Sequence, residues 1–220
     1  MKTILITGAA GAIGTSLRGL LADSYRLRLS DLNPVENLDD KEEFIQGDLA
    51  ERDVVSTILR GVDGVIHLGG ISGEDTWDNI LKSNIVGTYN VFEAARQAGI
   101  SRVVYASSVH AVGFYPRATE IPVDVTVRPD SRYGLSKCFG EAVGSLYSDK
   151  YALRVMCIRI GNAYPQPVDE RRLSIWISDR DLAALICIGL EHPDLRYEIV
   201  YGASGNTRVF WDNGAAHRLG

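Results

Sequence analysis

The sequence predicts an α/β fold built on a doubly wound parallel sheet. Short apolar runs rich in β-branched residues, which are typical of strands buried on both faces, alternate with longer stretches of helical periodicity. This alternation predicts parallel strands joined by right-handed helical crossovers. A glycine-rich turn lies between the first strand and the first helix, which is typical of the Rossmann type of this fold.

The predicted elements follow one another with mostly short connections. Strands are expected at residues 3–7, 25–30, 43–46, 64–68, 102–106, 152–160 and 197–201, and helices at residues 12–22, 54–59, 77–98, 131–150 and 179–191. Two loop-rich stretches, 113–129 and 164–175, each follow a strand. Because ligands of open α/β sheets bind beyond the carboxyl ends of the strands, we expect both stretches on the ligand side.

Composition narrows the class of partner. The 220 residues carry 28 acidic and 23 basic side chains, and this net charge of −5 argues against nucleic acid as the main partner. The three cysteines form no metal-binding or disulfide pattern, so we expect no metal site and a reducing, cytoplasmic location. No apolar run approaches the roughly 18 residues that span a bilayer, and the first run leads directly into the glycine turn, so we expect neither a membrane segment nor a signal peptide.

The glycine turn GAAGAIG predicts a dinucleotide site. Gly8, Gly11 and Gly14 permit a tight turn and a close approach of a pyrophosphate to the backbone, and the following helix offers free N–H groups. Glycines alone are a weak signal, but the strand before them and the helix after them strengthen it. We expect residues 1–160 to form the dinucleotide-binding core, with residues 161–220 packed on it as a substrate-side segment of one compact unit.

Acidic and small residues after the next strands complete this prediction. Asp31 ends the second strand, where a carboxylate binds the adenosine ribose hydroxyls and repels a 2′-phosphate, so NAD is favoured over NADP. Arg28 lies inside the strand. Asp48 and the segment Leu68–Gly70 follow the third and fourth strands and are expected to flank the adenine and the diphosphate. His67, at the end of the fourth strand, is interpreted as a packed core residue.

The candidate reaction centre is the sequence YGLSK, which contains Tyr133 and Lys137. Four residues apart at the start of a helix, the two side chains share one face. A neighbouring ammonium favours the phenolate, so we expect Lys137 to lower the pKa of Tyr133 and make it a base for a substrate hydroxyl. Ser107 and Ser108 end the fifth strand, and the Ser108 hydroxyl is a candidate to hold the substrate oxygen. The alternative is an exposed tyrosine beside a solvated lysine, a pair that occurs by chance.

Taken together, these motifs resemble the extended short-chain dehydrogenase/reductases, the NAD-dependent epimerase/dehydratase family. The marks are GAAGAIG, GDL, HLGG, Asn84, YASS and YGLSK, and they run over essentially the whole chain. Longer segments, including HLGGIS, NIVGTYNVFEAAR, HAVGFYP, RPDSRYGLSKCFGE, LSIWIS and WDN, are similar to the uronate dehydrogenases. The resemblance implies NAD-dependent oxidation of glucuronate or galacturonate at C1 to an aldarolactone.

The resemblance also implies roles for individual residues. Tyr133 would be the base supported by Lys137; Ser72, Ser108 and His110 would hold sugar hydroxyls; Arg171 would pair with the C6 carboxylate, with Arg172 as the alternative. The cofactor contacts predicted from motifs and resemblance together are Gly8, Gly11, Ala12, Ile13, Gly14, Asp31, Asp48, Leu49, Leu68, Gly69, Gly70, Asn84, Ser107, Tyr133, Lys137 and Ile160.

Two departures from the uronate dehydrogenase pattern leave the substrate open. Val109 stands where the family has an asparagine that contacts the sugar, and a valine side chain forms no hydrogen bond. The family's chains continue beyond WDN with a tail that supplies an aromatic to a neighbouring subunit, whereas this chain ends at Gly220; we expect a trimmed sequence or a pocket closed differently.

Other functions and an oligomer follow as expectations. The alternative enzyme is an extended short-chain dehydrogenase or 4-epimerase acting on a neutral aldose, a sugar phosphate or a nucleotide sugar. An NAD-binding regulator is the non-enzymatic alternative, although such proteins usually lose the tyrosine–lysine pair that is intact here. The helices at 77–98 and 131–150 are expected to pack across a two-fold axis in a homo-oligomer.

Overall fold

A parallel sheet forms the centre of the computed structural model, which describes residues 1–117, 119–167 and 169–220, with the side chain of Arg171 also outside the description. The strands in these ranges are β1 (Thr3–Thr7), β2 (Arg26–Asp31), β3 (Glu42–Gln46), β4 (Gly64–His67), β5 (Arg102–Ser108), β6 (Arg154–Ile160) and β7 (Tyr197–Gly202). Their order is β3-β2-β1-β4-β5-β6-β7, and every pair is parallel. The predicted doubly wound parallel sheet is confirmed.

The helices cover both faces of this sheet. They are α1 (Ala12–Leu21), α2 (Arg52–Ile58), α3 (Trp77–Ile80), α4 (Gly87–Gln97), α5 (Arg132–Tyr151), α6 (Glu170–Ser174), α7 (Asp179–Glu191) and α8 (Gly214–Leu219). Adjacent residues of β1 point to opposite faces: Ile4 and Ile6 pack with α1 and α7, whereas Leu5 packs with α2 and α4. This division explains why the first strand is an uninterrupted apolar run.

The strand order reverses beside β1, and this reversal positions the ligand cleft. From β1 the sheet continues to β2 and β3 on one side and to β4 on the other. Chain segments leaving β1 and β4 therefore part from each other at their carboxyl ends, which opens a crevice there. The glycine turn follows β1, and HLGG follows β4, so both lie at this crevice.

The helix expected at 77–98 differs in its middle. A π-helical turn at Leu81–Val86 separates α3 from α4, so the helical backbone continues with one wider turn. Asn84 lies in that turn with its amide buried and hydrogen-bonded to Ile71 and Ser136. Apolar periodicity does not distinguish α-helical from π-helical turns over so short a stretch, so the sequence predicted one uninterrupted α-helix.

Short elements after β5, β6 and β7 are also absent from the sequence predictions. They include a 3-10 turn at Val109–Val112, α6, α8 and an isolated bridge between Ile121 and Trp211. Elements of four to six residues carry too few periodic positions to be recognised. Within the described ranges, no helix has the length and apolarity required to cross a membrane.

Candidate active site

A cavity of about 830 Å³ lies at the carboxyl ends of the strands. Its wall includes nearly the whole predicted cofactor set: Gly8, Gly11, Ala12, Ile13, Gly14, Asp31, Asp48, Leu49, Leu68, Gly69, Gly70, Ser107, Tyr133, Lys137 and Ile160. Ser72, Ser108 and His110, the predicted sugar contacts with described side chains, also line it. The predicted cofactor and sugar contacts therefore share one cavity.

The glycine turn has no room for side chains. Gly8 has φ +71°, and a Cβ at this position would lie 2.8 Å from the backbone nitrogen of Gly69. A Cβ at Gly14 would lie 2.6 Å from the carbonyl oxygen of Gly8. Because real Cβ atoms do not approach backbone this closely, both positions require glycine. The result is a bare backbone cradle that opens α1, whose first N–H groups are available to an anion.

Asp31 stands beside this cradle at the end of β2. Its Oδ2 accepts a hydrogen bond from the Ala10 N–H at 3.0 Å, and its Oδ1 accepts one from Asn33 N–H at 2.9 Å. Arg28 is directed elsewhere: it pairs with Glu43 and donates to the carbonyls of Ile58 and Arg60. The cavity wall at this point thus carries a carboxylate and no contribution from Arg28, which favours ribose hydroxyls over a 2′-phosphate.

His67 supports the glycine turns from below. Its ring is fully buried, with Nδ1 2.8 Å from Thr7 Oγ1 and Nε2 3.1 Å from Thr88 Oγ1. Thr7 Oγ1 also accepts a hydrogen bond from the Gly69 N–H at 3.2 Å. Burial lowers the pKa of His67 to about 3, so the ring is neutral near neutral pH. The interpretation of His67 as a packed core residue is confirmed.

The start of α5 positions the predicted reaction centre. The Ser131 hydroxyl accepts a hydrogen bond from Gly134 N–H and caps the helix. One turn later, the buried Lys137 ammonium donates to the carbonyl of Ala106 at 2.8 Å and lies 5.4 Å from the centre of the Tyr133 ring. Tyr133 and Lys137 thus meet beside the end of β5, where Ser108 also faces the cavity.

The expected lowering of the Tyr133 pKa is wrong for this structure. Burial raises the pKa of Tyr133, and a hydrogen bond with the Ser108 hydroxyl opposes that rise. Burial also lowers the pKa of Lys137 to about 8. The physical reason is that desolvation penalises the charged forms of both groups. The Lys137 ammonium moreover donates its hydrogen bond to the backbone carbonyl of Ala106.

His110 is held in a defined orientation at the cavity wall. Its Nδ1 lies 2.9 Å from Asp130 Oδ1, and its ring meets the Tyr133 ring edge to face at 5.7 Å. Since a carboxylate only accepts, Nδ1 carries a proton and donates to Asp130, which leaves Nε2 free of that carboxylate. Asp130 packs against Gly113, where a Cβ would collide with its carboxylate. This orientation suits a hydrogen bond with a substrate hydroxyl.

Two predicted residues stand apart from the others. Asn84 is 2% exposed and is absent from the described cavity wall, because its amide binds the backbone of Ile71 instead. Arg171 lies in α6, but its side chain is outside the described part of the structure. The neighbouring Arg172, the alternative partner for the C6 carboxylate, lines the cavity. Its Nη1 lies 3.4 Å from Asp169 Oδ2.

Sequence reasoning missed much of the outer wall. Tyr115, Arg117, Ile121, Asn162, Tyr164, Ile175, Phe210 and Trp211 all line the cavity. Most come from the two loops predicted on the ligand side, 113–129 and 164–175. Asn162 lies between β6 and the second loop, and Phe210 and Trp211 belong to the segment after β7. The loop prediction is the signal that located the residues before and after β6, whereas Trp211 was marked only by the resemblance of the WDN segment, and no motif marked Phe210.

The arrangement fits a dinucleotide. The glycine cradle would be filled by any Cβ, the open N-terminus of α1 suits a pyrophosphate, and Asp31 suits a ribose. The fold and cavity therefore define a Rossmann-type dinucleotide-binding protein in which a half-buried tyrosine stands beside a buried lysine. The chain belongs to the NAD dependent epimerase/dehydratase family, whose model matches residues 4–194.

Comparison with known proteins gives several close relatives. The chain is 47% identical to uronate dehydrogenase of Pseudomonas putida, over 99% of this chain and 82% of that protein. It is 36% identical to NAD-dependent glucose-6-phosphate dehydrogenase of Haloferax volcanii, over 96% of this chain and 88% of that protein. A crystal structure of mutant uronate dehydrogenase from Agrobacterium tumefaciens complexed with NAD aligns with a TM-score of 0.97 at 43% identity, covering 100% of this chain and 83% of that one.

Proposed function

We propose that this protein oxidises a hexuronate, glucuronate or galacturonate, at C1 with NAD to give the aldarolactone. One observation carries the proposal: Tyr133, Lys137 and Ser108 share a cavity with a dinucleotide cradle. The 47% identity to a uronate dehydrogenase over 99% of the chain supports the substrate class.

The first task of the chain is to bind NAD in one orientation. The backbone of Gly8–Gly14 would hold the diphosphate, and Asp31 would accept hydrogen bonds from the adenosine ribose. Asp48 is held by Lys82 at 2.8 Å, which keeps its pKa low and its carboxylate available toward the adenine. When bound, NAD supplies the nicotinamide ring that takes up the hydride from the sugar.

The second task is to take the proton from the C1 hydroxyl. Tyr133 would accept that proton as phenolate, while the C1–H bond breaks, its electron pair leaves with the hydrogen, and C1 becomes the lactone carbonyl carbon. Ser108, whose hydroxyl opposes the rise in the pKa of Tyr133, would hold the same oxygen. The Lys137 ammonium, 5.4 Å from the centre of the Tyr133 ring, is the cation nearest to that ring among the described contacts and would attract the phenolate charge. Because burial raises the pKa of Tyr133, the reactive phenolate becomes more abundant as pH rises, so the rate should increase with pH.

The third task is to recognise the sugar acid. We propose that Arg171 grips the C6 carboxylate from α6, with Arg172 as the alternative on the same helix; guanidinium matches a carboxylate bidentately. His110, fixed by Asp130, and Ser72 would hold sugar hydroxyls. Val109 contributes only apolar contact at this wall.

A sugar phosphate is the second candidate substrate. Arg117 lines the cavity from the loop before the Ile121–Trp211 bridge and Arg172 lines it from α6, and two cations suit a dianion. The 36% identity to a glucose-6-phosphate dehydrogenase over 96% of the chain points the same way.

An assay across substrates tests the proposal. Purified protein is given NAD with glucuronate, galacturonate, glucose and glucose 6-phosphate, and NADH absorbance is followed. We expect NADH with the two uronates. NADH with glucose alone would overturn the uronate assignment, and NADH with glucose 6-phosphate alone would support the second candidate. A separate incubation with NAD and a nucleotide sugar, analysed by chromatography, covers the remaining alternative: conversion of that sugar without net NADH would indicate an epimerase.

Two matched variants locate the carboxylate ligand. Arg171→Gln and Arg172→Gln differ by one position on α6, and each removes one guanidinium. We expect Arg171→Gln to raise the KM for glucuronate about 30-fold through loss of a charge-assisted hydrogen bond, and Arg172→Gln to change it less. The reverse result would assign the carboxylate to Arg172.

We further propose that the protein is cytoplasmic and forms a homo-oligomer through α4 and α5. Apolar side chains on these helices and on the π-helical turn are exposed, including Val86, Tyr89, Leu135 and Leu146. Light scattering on the purified protein tests the assembly, and a monomer at micromolar concentration would contradict it. Cell fractionation tests the location.

A further inference from the structure

A row of buried polar side chains lies directly behind the reaction centre. Apart from Ser107, which is also a predicted cofactor contact, these residues have no part in the chemistry described above. Ser107, Arg159 and Tyr201 are neighbours across β5, β6 and β7. Glu141 of α5 faces them, and it follows Tyr133 and Lys137 at four-residue intervals along one helical face. Each of the four side chains belongs to a residue that is at most 4% exposed.

A bidentate ion pair forms the centre of this row. Arg159 Nε and Nη2 donate to the two carboxylate oxygens of Glu141, each at 2.9 Å, and Ser107 Oγ donates to Glu141 Oε1 at 2.6 Å. Taking two charges out of water is costly, so such a pair adds little net stability compared with apolar residues. Its bidentate geometry instead holds the side chains of Ser107, Glu141 and Arg159 in one arrangement.

The outer end of the row holds the loop that follows the 3-10 turn. Arg159 Nη1 donates to the carbonyl of Val123 at 3.1 Å, and the Tyr201 hydroxyl donates to the carbonyl of Pro122 at 3.2 Å. The adjacent Ile121 lines the cavity and exchanges backbone hydrogen bonds with Phe210 and Asp212. The buried row therefore anchors the backbone beside this part of the wall.

Trp211 is held from the same side. Its ring stacks on the Tyr201 ring with centroids 5.2 Å apart and planes at 9°, and its residue is 5% exposed while lining the cavity. Both strands of the Ile121–Trp211 bridge thus depend on Tyr201, one through its hydroxyl and the other through its ring.

We propose that Tyr201, Arg159 and Glu141 are positioning residues that hold the Ile121–Trp211 wall at a set distance from Ser108, and so determine sugar affinity rather than dinucleotide affinity. This inference rests on the proposed function, because it takes the outer wall as the sugar side. The contacts from Glu141 to Ser107 and from Arg159 to Val123 form one continuous path between the reaction centre and that wall.

Tyr201→Phe tests the proposal, and Tyr197→Phe is its matched control. Both changes remove one hydroxyl from β7 that donates to a backbone carbonyl: Tyr201 to Pro122 beside the wall, and Tyr197 to Glu141 within α5 at 2.9 Å. Glu141 and Arg159 are left intact, because removing one partner would leave a buried unpaired charge and endanger folding.

The readouts separate positioning from general stability. Tyr201→Phe removes the bond to Pro122 and a longer bond that the hydroxyl accepts from Arg159 at 3.4 Å. We expect the KM for glucuronate to rise about fivefold, with kcat and the NADH dissociation constant within about twofold of wild type. Hydrogen exchange at the amides of Ile121 and Asp212 should accelerate. For Tyr197→Phe we expect the KM for glucuronate and the exchange rates of these two amides to equal those of the wild type. This should hold even if both variants lose the same amount of melting temperature.

Two failures are distinguishable. Wild-type protein that forms no NADH with any sugar would overturn the proposed function, while the exchange rates would still test the anchoring of the wall. The positioning inference would be overturned if Tyr201→Phe and Tyr197→Phe had the same KM for glucuronate. It would also be overturned if the Ile121 and Asp212 amides exchanged at the same rate in both variants. Either result would leave the proposed function intact.

Discussion

The two sides of the cavity are built in different ways. The dinucleotide side consists of turns that directly follow β1 to β4, and its contacts are backbone and small residues such as Gly8 and Gly69. The substrate side brings together segments around Ile121, Arg172 and Trp211, which side chains and backbone bonds distant in sequence hold in place. A site made of local turns leaves a motif in the sequence, whereas a site made of long-range contacts does not.

The largest expected effect concerns Tyr133, which lies where the two sides meet. Tyr133→Phe keeps the ring against His110 but removes the proton acceptor, so we expect kcat to fall about a thousandfold. The NADH dissociation constant, measured by fluorescence titration, should stay within about twofold. Turnover within tenfold of wild type would show that another group takes the proton.

The second prediction tests whether the dinucleotide side depends on bare backbone. Gly8→Ala places a Cβ against Gly69 at a positive φ, and the strain and overlap should weaken NADH binding about 100-fold. Gly19→Ala is the matched control, since no described atom lies within 4 Å of a Cβ there and α1 should become slightly more stable. Equal NADH affinity in both variants would contradict a backbone cradle.

The third prediction concerns acid stability beneath the same turns. The folded pKa of His67, about 3, lies below its unfolded value near 6.5, so the unfolded state binds the proton first and stability falls as pH decreases below 6.5. This group alone should cost about 2 kcal/mol at pH 5. Urea unfolding at pH 7 and pH 5 measures the loss, and His67→Gln should show a smaller pH dependence; an unchanged dependence would exclude His67 as its source.

The smallest expected effect concerns the choice of dinucleotide. Asp31→Asn removes the charge that repels a 2′-phosphate, and we expect the ratio of kcat/KM for NADP to that for NAD to rise about fivefold. Asp23→Asn, an exposed carboxylate before the amino end of the same strand, is the control and should leave the ratio unchanged. If both variants gave the same ratio, Asp31 would have no part in the selection.

The prediction from sequence was closest where structure is local. The strand at Thr3–Thr7 and the helix at Asp179–Glu191 have the predicted bounds, and the glycine cradle, Asp31 and the YGLSK helix lie on one cavity as expected. Hydrophobic periodicity and turn chemistry depend on only a few neighbouring residues, so they can be recognised from the sequence. The roles of the individual site residues remain predictions, and the variants above test those of Gly8, Asp31, Tyr133, Arg171 and Arg172.

The sequence by itself determined the alternation of strands with the longer helices, the bare turn after β1 and the spacing of Tyr133 and Lys137 on one helical face. Only the tertiary structure decided the raised pKa of Tyr133, because that depends on how much water neighbouring elements exclude. It also decided that Asn84 binds backbone behind the wall, and that Glu141 and Arg159 meet. These properties depend on residues that are far apart in the chain and meet only in the folded sheet. Such long-range contacts produce no recognisable motif in the sequence.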